Sequence, residues 1–198
     1  EKKNFSKKSP FIVTFIGGLF DYLHSNCMED IILAISQLNR EGSPIELHIF
    51  GERHPKSFLK VNIVNQGITH HGLVMPLEKK YEIMRNSDAF VIPSSFDNKI
   101  HKDYRYSFPT KLTEFIACGT PLLYYGPSNT ATDDFLKKYN IPYAINKRST
   151  ELVKRFFLEL IVNYDTLVTY KISSLDIKAK EDNFTVNRKF ATLNNGDL

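Results

Sequence analysis

The sequence predicts an α/β fold in which a doubly wound parallel sheet of about six strands carries helices on both faces. Short apolar runs of strand length alternate with segments of helical periodicity along the whole chain. Glycine or proline follows most of these runs, as is usual where strands end. Strands that alternate with helices pair in parallel through right-handed crossovers, and a parallel sheet is buried on both faces.

Each strand is predicted from an apolar run bounded by turn residues. The first run ends at Gly17-Gly18, the second at Gly51, and the fourth at Pro93-Ser94-Ser95. In chain order the predicted strands are Phe11–Phe15, Ile45–Phe50, Ile68–Val74, Ala89–Ile92, Leu122–Tyr125 and Pro142–Ile145. Their alternation with helices is typical of a Rossmann-like sheet.

The helices are predicted from apolar residues that recur every three or four positions. After the first strand, an amphipathic helix with one apolar stripe is expected to start at an N-cap provided by Ser25 or Asn26. The stripe consists of Met28, Ile31, Ile32, Ile35 and Leu38. Further helices are predicted near Ser57–Val61, after Pro76 with Leu77, Tyr81 and Met84 on one face, over Glu151–Ile161, and near Val186–Leu193.

Two later helices carry clear end signals. Pro109 suits the first turn of a helix that runs to Cys118, and Gly119 suits the position after its last residue. Thr130 and Asp133 have the spacing of a capping box ahead of another helix.

Composition is that of an ordinary globular domain. Of 198 residues, 42% are hydrophobic and 24% charged, and the net charge is +4. We expect a single domain over 1–198, with a polar leader over 1–10 and a weakly patterned tail over 165–198. The charge is too small to predict a nucleic-acid partner. Two distant cysteines, no signal peptide and no apolar run of membrane-spanning length favour a cytoplasmic location.

A ligand site is expected where the first and fourth strands end. In open α/β sheets ligands bind beyond the carboxyl ends of the strands, at the point where the strand order reverses. Gly17-Gly18 and Ser94 would let a ligand approach the backbone there. The long polar stretch after Ser94 leads directly into the helix that starts at Pro109. The free amide groups at the start of that helix would bind an anion such as a diphosphate. Lys111 would add charge to the same place.

The segment Phe108–Pro121 resembles the donor-binding segment of GT-B glycosyltransferases of the group 1 type. It reads Phe-Pro-Thr-Lys-Leu-Thr-Glu-Phe-Ile-Ala-Cys-Gly-Thr-Pro, which fits the family's wording P-x-K-x-x-E-[FY]-x-A-x-G-x-P. The run Met84–Ser94 and the glycine-ended strand Leu47–Gly51 resemble the family's lead-up to it. The resemblance covers about residues 11–146.

The resemblance implies roles for individual residues. Gly17 and Gly18 would lie near the donor phosphates, with Ser94 at the neighbouring strand end. The backbone up to Val74 would meet the nucleotide base. Thr110, Lys111 and Leu112 would contact the diphosphate, and Glu114 would hold the ribose. Surface roles for Lys111 and Glu114, as a solvated lysine and an ion-pair partner, remain open.

Two departures from the family pattern stand out. Tyr106 occupies the position at which many members carry a first glutamate near the donor sugar. The Arg and Lys that many members place just after the first strand are missing, since Gly18 is followed by Leu19-Phe20-Asp21. Some of the charge that anchors a diphosphate must then come from elsewhere in the chain.

Metal and thiol chemistry are not predicted. His70 and His71 are neighbours on a strand, so their side chains point to opposite faces. Cys118 is expected to be a buried structural thiol on the apolar side of the Pro109 helix. The resemblance implies no cofactor, and the sequence identifies no catalytic residue.

The function expected from the sequence is that of the donor-binding domain of a glycosyltransferase, of retaining type if the resemblance holds. It would bind a nucleoside-diphosphate sugar and serve polysaccharide or glycoconjugate synthesis. The N-terminal acceptor-binding domain is expected to lie outside this chain, so the chain alone would transfer no sugar; the full enzyme could associate peripherally with a membrane. A non-catalytic scaffold or regulatory module, and a sugar-nucleotide epimerase of the same fold, are the alternatives.

Overall fold

The computed structural model describes residues 10–52, 67–74, 76–141 and 143–174. The helices predicted near Ser57–Val61 and Val186–Leu193 lie outside these ranges, as do most of the leader and the end of the tail. In chain order the elements are β1 Phe11–Ile16, α1 Asp21–Arg40, β2 Ile45–Phe50, β3 Ile68–Gly72, α2 Leu77–Asn86, β4 Ala89–Pro93, α3 Asn98–Tyr104, α4 Lys111–Ala117, β5 Leu122–Tyr125, α5 Ala131–Lys138, β6 Ala144–Ile145 and α6 Thr150–Ser174.

The sheet confirms the predicted fold class. Its strand order is β3-β2-β1-β4-β5-β6, and every pairing is parallel. The chain first adds strands on one side of β1 and then crosses to the other side at β4. The order therefore reverses between β1 and β4, which is the place that the sequence predicts for a ligand.

Helices cover both faces of the sheet. On one face, α1 and α6 pack over a core that includes Ile31, Ile35 and Phe157, each 0% exposed. On the other face, α2, α4 and α5 contribute Met84, Phe115 and Leu136 to a second core. Two separate apolar layers on either side of one sheet are what the alternating pattern requires.

Helix α1 begins earlier than predicted. Its first residue is Asp21, so Ser25 and Asn26 lie inside the helix and do not cap it. The backbone N–H of Phe20, the residue before the helix, donates to His24 Nδ1 at 3.1 Å, as it would to the Glu or Gln side chain of a capping box. The amides of Leu23 and His24 donate to the Phe20 carbonyl and close the first turn.

The buried face of helix α2 differs from the face that the sequence predicts. Met84 is 1% exposed, but Leu77 and Tyr81 are 54% and 44% exposed. Only the last turns of α2 pack on the sheet, where Met84 and the partly buried Ile83 join the second core.

The segment between β4 and β5 contains more structure than the sequence predicts. The polar stretch after Ser94 includes α3, which is seven residues long. The α4 helix spans Lys111–Ala117, and the Leu112 amide donates to the Pro109 carbonyl at 2.9 Å, so the turn itself starts at Pro109. Gly119 follows α4 with φ +67°, as predicted for a residue that ends a helix in the left-handed region.

Candidate functional site

A cleft of about 170 Å³ lies where β1, β4 and the start of α4 meet. Gly17 and Gly18 supply the end of β1, Pro93 the end of β4, and Thr110 and Lys111 the start of α4. The apolar side of the cleft is formed by Phe15, Ile16, Val91, Ile92 and Phe115. The cleft thus combines an apolar wall with a polar edge at the switch point of the sheet.

Glycines at the ends of β1 and β2 allow these two strand ends to come close together. A Cβ atom on Gly17 would lie 3.2 Å from Phe15 Cζ and 3.7 Å from Lys111 Nζ. The space around Gly51, at the end of β2, is smaller still, because a Cβ atom on Gly51 would lie 1.8 Å from the Gly17 carbonyl oxygen. Gly51 thereby lets the end of β2 pass directly beside the edge of the cleft.

Lys111 is the charged side chain among the described residues that line the cleft. Burial lowers the pKa of Lys111, and nearby Lys80 lowers it further, whereas Glu114 raises it. The ammonium group is therefore partly desolvated and repelled by a second cation. An anion in the cleft would relieve both effects.

Glu114 lies one turn further along α4 and is held by a residue of another helix. Lys80 Nζ of α2 contacts Glu114 Oε2, with side-chain exposures of 16% and 35%. Glu114 is not one of the residues lining the cleft. It lies behind Lys111, close enough to influence its pKa.

His24 enters the cleft from α1. Its ring lies edge-on to Phe15, with 6.0 Å between ring centroids, and burial lowers the pKa of His24 to about 4. The imidazole is therefore neutral at physiological pH. Sequence reasoning missed His24 because it placed the start of α1 too late.

Of the residues predicted for the site, Gly17, Gly18, Thr110 and Lys111 line the cleft, and the others lie outside it. Leu112 is 0% exposed in the second core, and its amide is bonded to the Pro109 carbonyl. Ser94 uses both backbone groups within the fold: its amide donates to the Tyr125 carbonyl at 2.8 Å, and its carbonyl accepts from Cys27 Sγ at 3.0 Å. Val74 follows the end of β3 and packs against the second core.

Tyr106 and Cys118, which the sequence analysis singled out, both lie on the protein surface. Tyr106 is 78% exposed, with the Arg105 guanidinium 4.8 Å from its ring centroid. Cys118, expected to be buried, is exposed because it follows the last residue of α4.

Among the residues that the structure describes, no three His, Cys, Asp or Glu side chains gather so as to hold a metal ion. Within the same ranges, none of the helices combines the length and apolar character that crossing a bilayer requires.

Sequence comparison links the chain to one family. The profile of the family described as "Glycosyl transferases group 1" matches residues 10–132, which is more than half of the chain. No curated protein sequence matches.

Solved structures of glycosyltransferases share the fold. WaaG, described as a glycosyltransferase involved in lipopolysaccharide biosynthesis, matches 87% of this chain with a TM-score of 0.66 and 15% identity. The C-terminal domain of the group 1 family protein LpcC from Francisella tularensis matches 86% with a TM-score of 0.61 and 16% identity. Anabaena HepE, solved in complex with UDP and glucose, matches 96% with a TM-score of 0.63 and 12% identity.

The extent of the match differs among these proteins. The chain spans 43% of the length of WaaG and 49% of HepE, but 86% of the LpcC domain. It thus corresponds to about half of a full-length relative.

Proposed function

Because the chain belongs to the glycosyl transferases group 1 family, we propose that it is the donor-binding half of an enzyme that transfers a sugar from a nucleoside-diphosphate sugar to an acceptor. The observation that carries this proposal is the meeting of Gly17, Gly18, Thr110 and Lys111 around one cleft at the switch point of the sheet. Open α/β sheets bind their ligands at this point.

The diphosphate of the donor is proposed to lie against the two glycines and Lys111. Glycine lets phosphate oxygens approach the backbone closely. Lys111 carries an ammonium group that burial and Lys80 both destabilise, so an incoming dianion gains more from it than from a fully hydrated lysine. The same charge would stabilise the nucleoside diphosphate as it departs, when negative charge develops on it.

Glu114 is proposed to hold the ribose. Its Oε2 is buried against Lys80, so Oε1 is the oxygen proposed to accept a hydrogen bond from a ribose hydroxyl. Lys80 would then fix the orientation of the carboxylate, in the way that outer partners orient a binding group.

The binding site for the acceptor is proposed to lie in a domain outside this chain. The chain corresponds to about half of WaaG and HepE in length, and we propose that it supplies one wall of the active site of such an enzyme. We therefore expect this chain to bind the nucleotide weakly and to transfer no sugar by itself.

Calorimetric titration of the chain with UDP, GDP and ADP, and with their glucose conjugates, tests the proposal. UDP is the first probe, because HepE was solved with UDP. Replacing Lys111 by Met removes a charged hydrogen-bond donor and should weaken binding by about 10- to 100-fold.

Lys138→Met is the matched control. Lys138 lies in the last turn of α5 with its ammonium 5.3 Å from the Tyr139 ring centroid, away from the residues that line the cleft. This variant should bind as the wild type does. No binding of any nucleoside diphosphate at millimolar concentration would favour a scaffold and end the proposal.

A further inference from the structure

His24 enters the cleft from the first turn of α1, shortly after the end of β1. It lines the cleft together with Gly17, Gly18 and Lys111, although it belongs to α1 and lies outside the Phe108–Pro121 motif. With Gly18 followed by Leu19 and Phe20, no Arg or Lys enters the cleft directly after β1. The structure therefore places an imidazole on this side of the cleft.

The hydrogen bond from Phe20 fixes the tautomer of this imidazole. The Phe20 backbone N–H donates to His24 Nδ1 at 3.1 Å, so Nδ1 must hold a lone pair. A neutral imidazole with an unprotonated Nδ1 carries its proton on Nε2. His24 therefore has a hydrogen-bond donor, Nε2–H, on the side of the ring opposite to its helix-capping contact.

The ring is held in place by its neighbours. Its centroid lies 6.0 Å from that of Phe15 on β1 and 6.2 Å from that of Phe20. A donor whose ring is fixed by packing and by a backbone hydrogen bond loses little conformational freedom when it binds a ligand. Such pre-organisation is typical of binding groups.

We propose that His24 is a donor-binding residue whose Nε2–H donates a hydrogen bond to a diphosphate oxygen of the nucleotide sugar. The inference rests on the proposed function of the cleft. A neutral hydrogen-bond donor at His24 fits a chain that has no Arg or Lys directly after β1, because such a donor can share a partly desolvated cleft with Lys111. A second cation there would repel Lys111 and would itself be disfavoured by burial.

Two substitutions separate this binding role from the capping role. In His24→Asn, the amide oxygen lies where Nδ1 was and can still accept from the Phe20 N–H, but nothing replaces Nε2–H. In His24→Gln, the longer side chain places an amide N–H near the position of Nε2. A purely structural His24 would make Asn the better substitute, whereas a binding His24 makes Gln the better one.

The experiment is titration of the full chain and both variants with UDP. We expect His24→Asn to keep the wild-type fold by circular dichroism and to bind UDP about 3- to 10-fold more weakly, as loss of one neutral hydrogen bond predicts. We expect His24→Gln to recover at least half of that loss on a logarithmic scale. Equal affinities for the wild type and His24→Asn would overturn the assignment of His24 and leave the proposed function intact. Failure of the wild type to bind UDP or any other nucleoside diphosphate would overturn both.

The pH dependence of the affinity ratio tests the protonation state. Lys111 of α4 shares the cleft, with Lys80 and Glu114 behind it, and all three residues are present in both the wild type and His24→Asn. The diphosphate also titrates alike in both, so it cancels from the ratio of dissociation constants. A neutral donor predicts a constant ratio between about pH 5.5 and 8, because burial keeps the imidazole uncharged throughout. A ratio that grows as the pH falls through the ordinary histidine range would show that the imidazolium binds instead, and would overturn the neutral-donor mechanism.

Discussion

Lys80 Nζ contacts Glu114 Oε2 and so joins α2 to α4 on one face of the sheet. Both side chains are largely withdrawn from solvent, with exposures of 16% for Lys80 and 35% for Glu114. Lys111 lies close enough for both charges to act on its pKa. The pair therefore connects the packing of two helices with the electrostatics of the cleft.

Removal of either partner of this pair should destabilise the fold. In Lys80→Met the Glu114 carboxylate loses its counter-charge, and in Glu114→Gln two neighbouring lysines are left without an anion. We expect each change to lower the free energy of unfolding by about 1–2 kcal/mol, with a coupling energy of about 1 kcal/mol in the double-mutant cycle. Urea denaturation of the four proteins measures both quantities.

The exposed pair on α2 is the matched control for this cycle. Lys79 Nζ and Glu82 Oε2 are 2.9 Å apart, but their side chains are 56% and 53% exposed. Water and salt screen such a pair, so the cycle of Lys79→Met and Glu82→Gln should give a coupling energy below about 0.5 kcal/mol. Equal coupling energies for the two cycles would contradict the importance assigned to the Lys80–Glu114 pair.

The strands and the position of the cleft follow from local features of the sequence. The first five apolar runs gave strands that overlap the observed ones closely, because each run is bounded by a glycine, a proline or a polar residue at its end. Pro109 and Gly119 delimited α4 for the same reason. Once the elements alternate, the commonest parallel order places β1 beside β4, and the cleft follows from that order.

The side chains that complete the site could not be predicted in this way. His24 accepts from the Phe20 N–H through a ring nitrogen, a role that the capping box assigns to Glu or Gln, so the sequence places the start of α1 too late. Lys80 reaches Glu114 across two helices that are distant in sequence, and no local pattern encodes such a contact. The resemblance implies that Leu112 contacts the diphosphate, but the position of Leu112 in α4 directs its side chain into the core.

The two cysteines should differ sharply in reactivity. Cys27 is 0% exposed, and burial raises the pKa of its thiol to about 12. Cys118 is exposed, although partial burial also raises its pKa, so it should react in the native protein more slowly than a free thiol. Ellman's reagent should therefore label one thiol in the native state and two in denaturant, and Cys118→Ser should abolish the native reaction. Two thiols that react at the same rate in the native protein would show that Cys27 of α1 is not buried against the Ser94 carbonyl.

Gly51 and Gly17 should respond very differently to a single added methyl group. In Gly51→Ala the new Cβ would lie 1.8 Å from the Gly17 carbonyl oxygen, a backbone atom that cannot rotate away. Separation of these strand ends would disturb the Gly17 N–H bond to the Phe50 carbonyl and the Gly51 N–H bond to the Gly72 carbonyl. We expect a loss of about 3 kcal/mol in the free energy of unfolding, or failure to fold.

Gly17→Ala is the companion variant. Its nearest atoms would be Phe15 Cζ at 3.2 Å and Lys111 Nζ at 3.7 Å, both in side chains that can shift. The stability cost should stay below about 1 kcal/mol, whereas the methyl group would occupy the cleft and weaken UDP binding. Thermal melts and calorimetric titration separate the two effects. Unchanged UDP affinity in a folded Gly17→Ala protein would argue that the donor does not lie against Gly17.

The burial of His24 should make the fold sensitive to mild acid. The pKa of His24 falls from 6.5 to about 4 in the native state, because burial disfavours the imidazolium. Between these two values the unfolded chain binds a proton that the native chain does not, so the free energy of unfolding must decrease as the pH falls from 6.5 towards 4. Below pH 4 both states are protonated, and this contribution stops changing. The full effect is about 3 kcal/mol.

A comparison of the wild type with His24→Gln isolates this contribution. His48 and His71, and the carboxylates that titrate at the acid end of the range, are the same in both proteins and cancel from the difference. Urea denaturation at a series of pH values should show the wild type losing stability relative to His24→Gln from about pH 6.5 downwards, with the difference levelling off near pH 4. Parallel stability curves would mean that the imidazole titrates equally in the folded and unfolded chains. In that case His24 would be hydrated and free to charge below pH 6.5, and burial would not keep the imidazole neutral as the proposed contact with the diphosphate requires.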